Sequence, residues 1–415
     1  MKIEGAVLLS GLSAIVKLAV VLVCTRYIAS LVGPEGFLIL GSYQNLLVIF
    51  MSIGSAGIMT GVVKYASEYS EQEKNPYISS ASFIVLCLSP ILFLIILLFP
   101  KSDLVFFSGS IVYKGLFFIA AFSSTLLLLI NSLANAHGDN KKFIFISTVS
   151  ASLLYLGSAF GAMLNNLEGF LLGILLSSFF SLIIAVKLYY SSLWFNLKKF
   201  RPKKDLNAIR RLLTFGGVAV ISMICVPVGK IVIRNIQINT FGNDFAGQWD
   251  AIILISTSYM SPLYGILGFY FLPRYSKAIN LNAIETLLIS GIQKLGLVML
   301  FGVSIVYFSS SYWLVYLYGE SFQLIKDFLP FVIGADIFRF FAMLVAYLML
   351  ARNQLKIFAI SEIFFNILYP ILLLTFIQFL GHDAAGMSYL CLSIIYFLFV
   401  YFWYIKKFRL NLLET

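Results

Sequence analysis

Long apolar stretches, separated by short polar connections, run along the whole chain. Each stretch is long enough to cross the roughly 30 Å hydrocarbon core of a bilayer as a helix. Because a backbone in lipid must satisfy its own hydrogen bonds, the pattern predicts an all-α integral membrane protein. We predict twelve transmembrane helices, at residues 5–32, 37–63, 79–100, 113–135, 143–163, 169–190, 212–239, 248–272, 287–310, 328–350, 357–379 and 386–405.

The composition agrees with this pattern. Of the 415 residues, 60% are hydrophobic and 11% are charged, and the mean hydropathy is +0.96. These values lie outside the range of soluble globular chains. The longest polar connection, 191–211, contains the basic run KKFRPKK, and no segment is left for a soluble domain. We expect the first apolar segment, which carries Lys17, to be a retained span and not a cleaved signal.

The distribution of Lys and Arg predicts the orientation. With the N-terminus inside the cell, most of the 29 basic residues fall in cytoplasmic connections or at cytoplasmic helix ends. Only Lys101, Lys114 and Lys326 fall on the outer side. This asymmetry predicts that both termini are cytoplasmic and that the number of spans is even. The net charge of +11 is then mainly a topology signal, and nothing separate indicates nucleic-acid binding.

Residues that would support catalysis or metal binding are sparse. The four cysteines lie in apolar spans without paired spacing, and the two histidines lie in loops. The sequence has no glycine-rich phosphate loop, no Ser-His-Asp set on one side of the membrane and no cluster of metal ligands. We therefore predict a protein that is not an enzyme and that needs no cofactor, although a proton or sodium gradient is an open source of energy.

The two halves of the chain resemble each other weakly. RYIASLVGPEGF, from Arg26, is similar to RNIQINTFGNDFAG, from Arg234: an arginine, an apolar run and a glycine turn into the next span. GVVKYASEY and FLPRYSKAI also match, each with a basic residue before tyrosine. We predict two six-helix lobes related by a parallel pseudo-two-fold repeat, 1–190 and 212–415, joined by a basic cytoplasmic linker at 191–211.

Basic residues inside the spans are the first candidate site. A cation at the bilayer centre costs about 2.5–3.5 kcal/mol on insertion scales, so such residues usually serve a function. Snorkelling to the interface is the alternative, and it stays open for Lys17, Lys230 and Arg234. A water-filled cavity lined by cations would bind an anion, and Arg with Lys suits a pyrophosphate. The candidate substrate-binding residues are Lys17, Arg26, Lys230, Arg234 and Arg339.

Acidic residues inside the spans are candidates for ion coupling. An intramembrane carboxylate can carry a proton or a sodium ion, which makes Asp336, Glu362 and Asp250 the candidates. Asp336 and Asp250 each have an alternative reading. Asp336 and Arg339 stand three residues apart on one helix and can neutralise each other. Asp250 follows Trp249 at the outer start of a span, where an interfacial position would explain it.

Four longer motifs carry a family resemblance. They are VKLAVVLVCTRYIASLVGPEGF, GSAGIMTGVVKYASEY, GQWDAIILIS followed by YFLPRYSK, and GADIFRF followed by ARNQLKIFAISE. The chain resembles the Wzx-type lipid-linked oligosaccharide flippases, in the branch that contains the enterobacterial common antigen flippase. It departs from the pattern at Tyr43–Asn45, where a basic residue is expected, and at Asp250, where an amide is expected. Those departures leave the sugar and the coupling residue open.

The resemblance implies a fold, a substrate class and a location. The fold is that of the multidrug/oligosaccharidyl-lipid/polysaccharide (MOP) exporter superfamily, which includes the MATE transporters. The substrate is an undecaprenyl-pyrophosphate-linked O-antigen repeat unit, moved across the bacterial inner membrane by alternating access. A polysaccharide polymerase and a chain-length regulator are expected partners, besides the membrane lipid. Two other functions stay open: a MATE-like drug/cation antiporter, and a membrane polysaccharide polymerase or glycosyltransferase.

Overall fold

A computed structural model of the chain describes residues 3–69, 73–98, 110–192, 194–278, 280–352 and 354–409. Nearly all of these residues are helical, and the described part of the chain contains no β-strand. The helices are α1 (Ile3–Leu31), α2 (Gly33–Ser55), α3 (Met59–Glu68), α4 (Asn75–Leu98), α5 (Ile111–Ala136), α6 (Asn140–Tyr189), α7 (Leu206–Phe241), α8 (Asn243–Ile266), α9 (Leu272–Lys277), α10 (Leu281–Phe308), α11 (Ser310–Tyr318), α12 (Leu324–Ala351), α13 (Leu355–Leu380) and α14 (Ala384–Trp403).

The predicted all-α membrane fold is confirmed. Every one of the twelve apolar segments overlaps a helix. Among the described residues, eight stretches are long and apolar enough to cross a membrane, and two of these are 50 residues long. The exact number of twelve spans therefore stays a prediction.

Two of the predicted spans form the two arms of α6. At Asn165 and Asn166 the backbone leaves the helical region, with φ/ψ of −153°/49° and 41°/−124°. Glycines then bring the arms together, because Gly161 lies against the backbone of Gly169 and Gly157 against that of Gly173. The predicted boundary between 143–163 and 169–190 is thus a hairpin corner, held by backbone contacts that only glycine allows.

This contact leads to a stability prediction. In Gly173→Ala the new Cβ would overlap the carbonyl of Gly157, so we expect α6 to open and the melting temperature of the purified protein to fall by several degrees. Gly115→Ala is the matched control, because Gly115 is also helical but has no atom within 4 Å of an added Cβ. An unchanged melting temperature for Gly173→Ala would show that the arms are not in close contact.

The chain divides into two compact units. Unit 1 comprises Met1–Leu38 and Gly229–Thr415, and unit 2 comprises Ile39–Val228. The boundary falls inside α7, two residues after Pro227, and not at the basic linker. Helix α1 belongs to unit 1 because it packs on α8 and α11. The predicted division into repeated lobes concerns sequence similarity, which this grouping by contact does not test, and it stays a prediction.

Within unit 1, the two glycine turns matched in the sequence contact each other. Gly247 lies against the backbone of Pro34, and its missing side chain permits this approach. The ring of Phe37 packs against Tyr318 and Phe322, with centroid distances of 5.6 and 5.5 Å. The contact at Gly247 lies in the first two turns of α8, the helix that contributes Trp249 and Asp250 to the cavity described next.

Candidate functional site

Unit 1 contains a cavity of about 130 Å³ that is lined by charged and polar side chains. Its walls come from the C-terminal part of α7, from α8 and α12, and from α13 and α14. The polar and aromatic side chains on these walls are Lys230, Arg234, Gln237, Trp249, Asp250, Ser256, Thr257, Tyr264, Asp336, Arg339, Tyr369 and Tyr389. The site therefore combines residues that are more than 150 positions apart in the sequence.

Helix α7 presents one polar stripe to the cavity. Lys230, Arg234 and Gln237 follow at intervals of four and three residues, so they share one face of the helix. The Arg234 side chain is nearly buried and donates from Nε to Oδ2 of Asp250 on α8, over 2.7 Å. Asp250 binds only Nε in the part of the chain that the structure describes, which leaves the two terminal nitrogens of Arg234 for another acceptor.

Helix α12 contributes Asp336 and Arg339. Asp336 is only 1% exposed, and its Oδ2 accepts hydrogen bonds from Ser256, over 2.7 Å, and from Tyr259. Arg339 donates from Nη1 to the hydroxyl of Tyr389 on α14, over 3.0 Å. Within the described ranges these two residues form no ion pair at 4.0 Å or less. The pairing considered from their spacing is therefore not formed, because hydroxyls of α8 reach Asp336 instead.

The charges on the cavity wall do not cancel. Arg234 has Asp250 as its partner, and Asp336 is held by hydroxyl groups. Neither Lys230 nor Arg339 forms an ion pair within 4.0 Å among the described residues. Three cations (Lys230, Arg234, Arg339) and two acids (Asp250, Asp336) leave one net positive charge on the wall. In a low-dielectric cavity this charge creates a positive potential. The arrangement can therefore bind an anion.

Three further predicted site residues do not line this cavity. Lys17 on α1 is half-buried. Arg26 is exposed, donates to the carbonyl of Tyr316 over 2.6 Å and lies 4.0 Å from the centre of that ring. Glu362 on α13 is half-buried. Their predicted roles in substrate binding and ion coupling stay predictions.

The sequence reasoning missed several residues of the site. Gln237 could have been predicted from its spacing, because it stands seven residues after Lys230 on the same helical face. Tyr369 and Tyr389 have no such signal, because they lie on α13 and α14, more than 100 residues after the cavity residues of α7. Ser256 and Tyr259 became visible as partners of Asp336 only through the packing of α8 on α12.

Unit 2 contains a different kind of cavity. It measures about 260 Å³, and the residues that line it carry no charge. Hydroxyl groups dominate its polar wall: Tyr43, Ser124, Ser150, Ser177, Ser178 and Ser181. The charged cavity of unit 1 is therefore the candidate site for an ionic group. In the described ranges, no group of three or more His, Cys, Asp or Glu residues is placed to hold a metal ion.

Comparisons with known proteins agree with this picture. The sequence profile of the family described as "Polysaccharide biosynthesis protein" matches residues 5–278. The chain is similar to the lipid III flippases of Escherichia coli (strain K12) and Shigella flexneri, with 23% identity to each over 408 residues. These alignments cover 96% of this chain and 97% of each relative.

The fold also matches solved structures of transporters. One is a multidrug resistance MATE family transporter of the MOP superfamily in an inward-facing conformation. The TM-score is 0.74 at 16% sequence identity, and the match covers 97% of this chain and 99% of that one. At this identity the match establishes a common fold. The chain belongs to the polysaccharide biosynthesis protein family and is a multi-pass membrane protein with the fold of the MOP superfamily transporters.

Proposed function

We propose that this protein is a flippase, which moves a lipid-linked oligosaccharide from the inner to the outer leaflet of the membrane by alternating access. The observation that carries the proposal is the cavity of unit 1, where cations outnumber acids and where Lys230 and Arg339 form no ion pair within 4.0 Å in the described chain. The full-length similarity to lipid III flippases supports the same reading. Taken together, a positive cavity and a flippase relative favour an anionic lipid as substrate.

The side chains of the cavity suit a pyrophosphate. Asp250 holds the Arg234 guanidinium through Nε, so the terminal nitrogens can bind a phosphate as a planar fork. Lys230, one turn earlier on α7, supplies a point charge beside that fork. The polyprenyl chain would stay in lipid, since a cavity of about 130 Å³ takes only the linkage region of the substrate.

The finer assignments are part of the proposal. We infer an undecaprenyl-pyrophosphate carrier and an O-antigen repeat unit from the Wzx-type motifs. A bacterial inner membrane and two cytoplasmic termini follow from those motifs and from the Lys and Arg distribution. A polymerase and a chain-length regulator would act on the exported unit.

Coupling to an ion gradient would use an acid that is not already engaged. Asp250 binds Arg234, and Asp336 accepts two hydrogen bonds. The Glu362 carboxylate has no partner within the described ranges and is half-buried on α13. Of the three candidates, Glu362 therefore suits a proton or sodium ion best.

Two other functions receive less support. A drug/cation antiporter shares the fold, but a cation-binding cavity needs free carboxylates, and both cavity acids here are engaged by donors. A polymerase or glycosyltransferase would need catalytic acids or arginines on an outer loop. The similarity to flippases over 96% of the chain favours a transporter instead.

Removing the protein from its host tests the proposed function. We expect the undecaprenyl-pyrophosphate-linked repeat unit to accumulate, measured by mass spectrometry of extracted lipid, and surface O-antigen to be lost. Restoring the gene should reverse both changes. Accumulation of free nucleotide sugars without the lipid-linked unit would contradict the proposal, because it would place the protein before the lipid-linked stage.

The orientation has its own test. Single cysteines at Lys141 and Lys203 should resist an impermeant thiol reagent in intact cells, because both positions are predicted to be cytoplasmic. A cysteine at Asp103, which lies outside the described residues, should react. Labelling at Lys203 from outside would reverse the topology.

A further inference from the structure

Two hydrogen-bond donors on the wall of the charged cavity have no acceptor. The amide nitrogen Nε2 of Gln237 and the hydroxyl of Tyr369 are buried, and neither forms a hydrogen bond among the described residues. The Ser388 hydroxyl lies beside that of Tyr369 but donates to the carbonyl of Ala385, over 3.1 Å. Gln237 as a whole is only 1% exposed. A buried donor without an acceptor destabilises the fold and calls for an explanation. A ligand that supplies the acceptors would be one.

The positions of these donors indicate which part of a ligand they meet. Along α7, Arg234 lies about 6 Å and Gln237 about 10 Å from Lys230, from the rise per residue. The two cations lie about one helical turn apart on the same face, so both of their long side chains can reach one pyrophosphate. Gln237 lies about 4.5 Å further on, at the next group of a linear substrate.

The chemistry of the donors separates this part of the cavity from the cationic part. An amide and a phenol hydroxyl are neutral, so they bind an uncharged oxygen without the mismatch that a lysine would create. The oxygens that a sugar offers are its ring oxygen, its hydroxyls and, in an acetamido sugar, a carbonyl. The neutral donors beside the cations therefore suit a sugar attached to a phosphate.

We propose that Gln237 and Tyr369 form a subsite for the pyranose that is linked directly to the pyrophosphate, so that the cavity recognises a glycosyl phosphate and not a phosphate alone. This inference rests on the proposed function, because it places the sugar next to the anion bound by Lys230 and Arg234. The subsite adds a preference for a glycosyl phosphate over a simple phosphate, which the cations alone cannot provide. The two neutral donors are specificity residues for the first sugar.

The test compares two ligands of equal charge. Full-length purified protein, in a detergent without a sugar headgroup, is titrated with methyl phosphate and with N-acetylglucosamine 1-phosphate, and the dissociation constants are taken from thermal stabilisation. We expect the parent protein to bind the glycosyl phosphate about tenfold more tightly, as two neutral hydrogen bonds would give. In Gln237→Met with Tyr369→Phe, the two dissociation constants should become equal.

A second measurement separates ligand binding from a structural role. Because removal of an unsatisfied donor relieves its burial, the empty Gln237→Met and Tyr369→Phe single variants should melt at or above the parent temperature. The matched control is Tyr396→Phe, since Tyr396 also has a buried hydroxyl without a partner but does not line the cavity. This control should keep the tenfold preference.

The outcomes distinguish the inference from the function on which it rests. Equal binding of the two ligands by the parent protein would overturn the sugar subsite and leave the anion cavity intact. A preference for the glycosyl phosphate that persists in the double variant would also overturn the subsite. A lower melting temperature of the ligand-free single variants would overturn it as well, because the two donors would then stabilise the fold, directly or through bound water. Absence of binding of either ligand would overturn the anion cavity and the subsite together.

Discussion

Lys230→Glu is expected to abolish export of the lipid-linked oligosaccharide, while Lys230→Arg should retain it. Lys230 lies on the cavity wall, the residue is exposed, and it forms no ion pair within 4.0 Å among the described residues. Hydrogen bonds to a charged group contribute about 1.5–3 kcal/mol. Loss of one such bond in Lys230→Ala should reduce export by roughly tenfold or more, and charge reversal should reduce it further. Surface O-antigen, normalised to protein abundance, measures the effect.

A matched control separates charge in the cavity from charge in general. Lys187, near the end of α6, is also exposed but lies outside the charged cavity. Lys187→Glu should leave export close to the parent level. If Lys230 only snorkels to the interface, removal of the charge relieves an insertion cost of about 2.5–3.5 kcal/mol. Full export by Lys230→Ala, with equal or greater protein abundance, would therefore contradict the role of Lys230 in anion binding.

Asp336→Ala is expected to destabilise the protein by about 3 kcal/mol, in the range found when one partner of a buried charged network is removed. Asp336 is buried, and its carboxylate accepts hydrogen bonds from Ser256 and Tyr259. Both donors would lose their acceptor in the alanine variant. The free energy of unfolding, from denaturant titration of the purified protein, measures the loss. Asp336→Asn keeps an acceptor oxygen and should lose clearly less.

The exchange of Asp336 and Arg339 gives a second outcome for the same network. If the two side chains neutralised each other, the exchange Asp336→Arg with Arg339→Asp would recover the stability that each single variant loses. The structure gives them separate partners, on α8 and α14. We therefore expect the exchange to be at least as unstable as Asp336→Ala. Recovery of parent stability in the exchange would show that a direct ion pair is present after all.

The sequence predicted the helical membrane fold because apolar length alone determines a span. The positions of turns within the apolar segments were harder to predict from the sequence. The predicted segment 37–63 is divided into α2 and α3, since Ala56 and Gly57 adopt φ of 46° and 63° and Gly57 lies against the backbone of Gly216. A helix break of this kind depends on a contact with a distant helix, which no local pattern contains.

In the candidate site, too, features within one helix could be predicted and contacts between helices could not. Lys230 and Arg234 could be paired from spacing along one helix, and the structure places both on the cavity wall. The partner of Arg234 could not be predicted, because Asp250 lies on another helix and its position near Trp249 suggested the interface. For Asp336 the prediction from i,i+3 spacing was wrong. Its carboxylate does not pair with Arg339, because the packing of α8 on α12 places the hydroxyls of Ser256 and Tyr259 next to it.

Transport by the purified protein tests the proposed flippase most directly. The protein is reconstituted in liposomes with an undecaprenyl-pyrophosphate-linked oligosaccharide that starts in one leaflet, and a glycosidase added to the other side reports its arrival. We expect the parent protein to expose the oligosaccharide, Lys187→Glu to do so equally, and Lys230→Glu to expose no more than protein-free liposomes. Arrival at the protein-free rate with the parent, or at the parent rate with Lys230→Glu, would contradict a flippase that works through this cationic cavity.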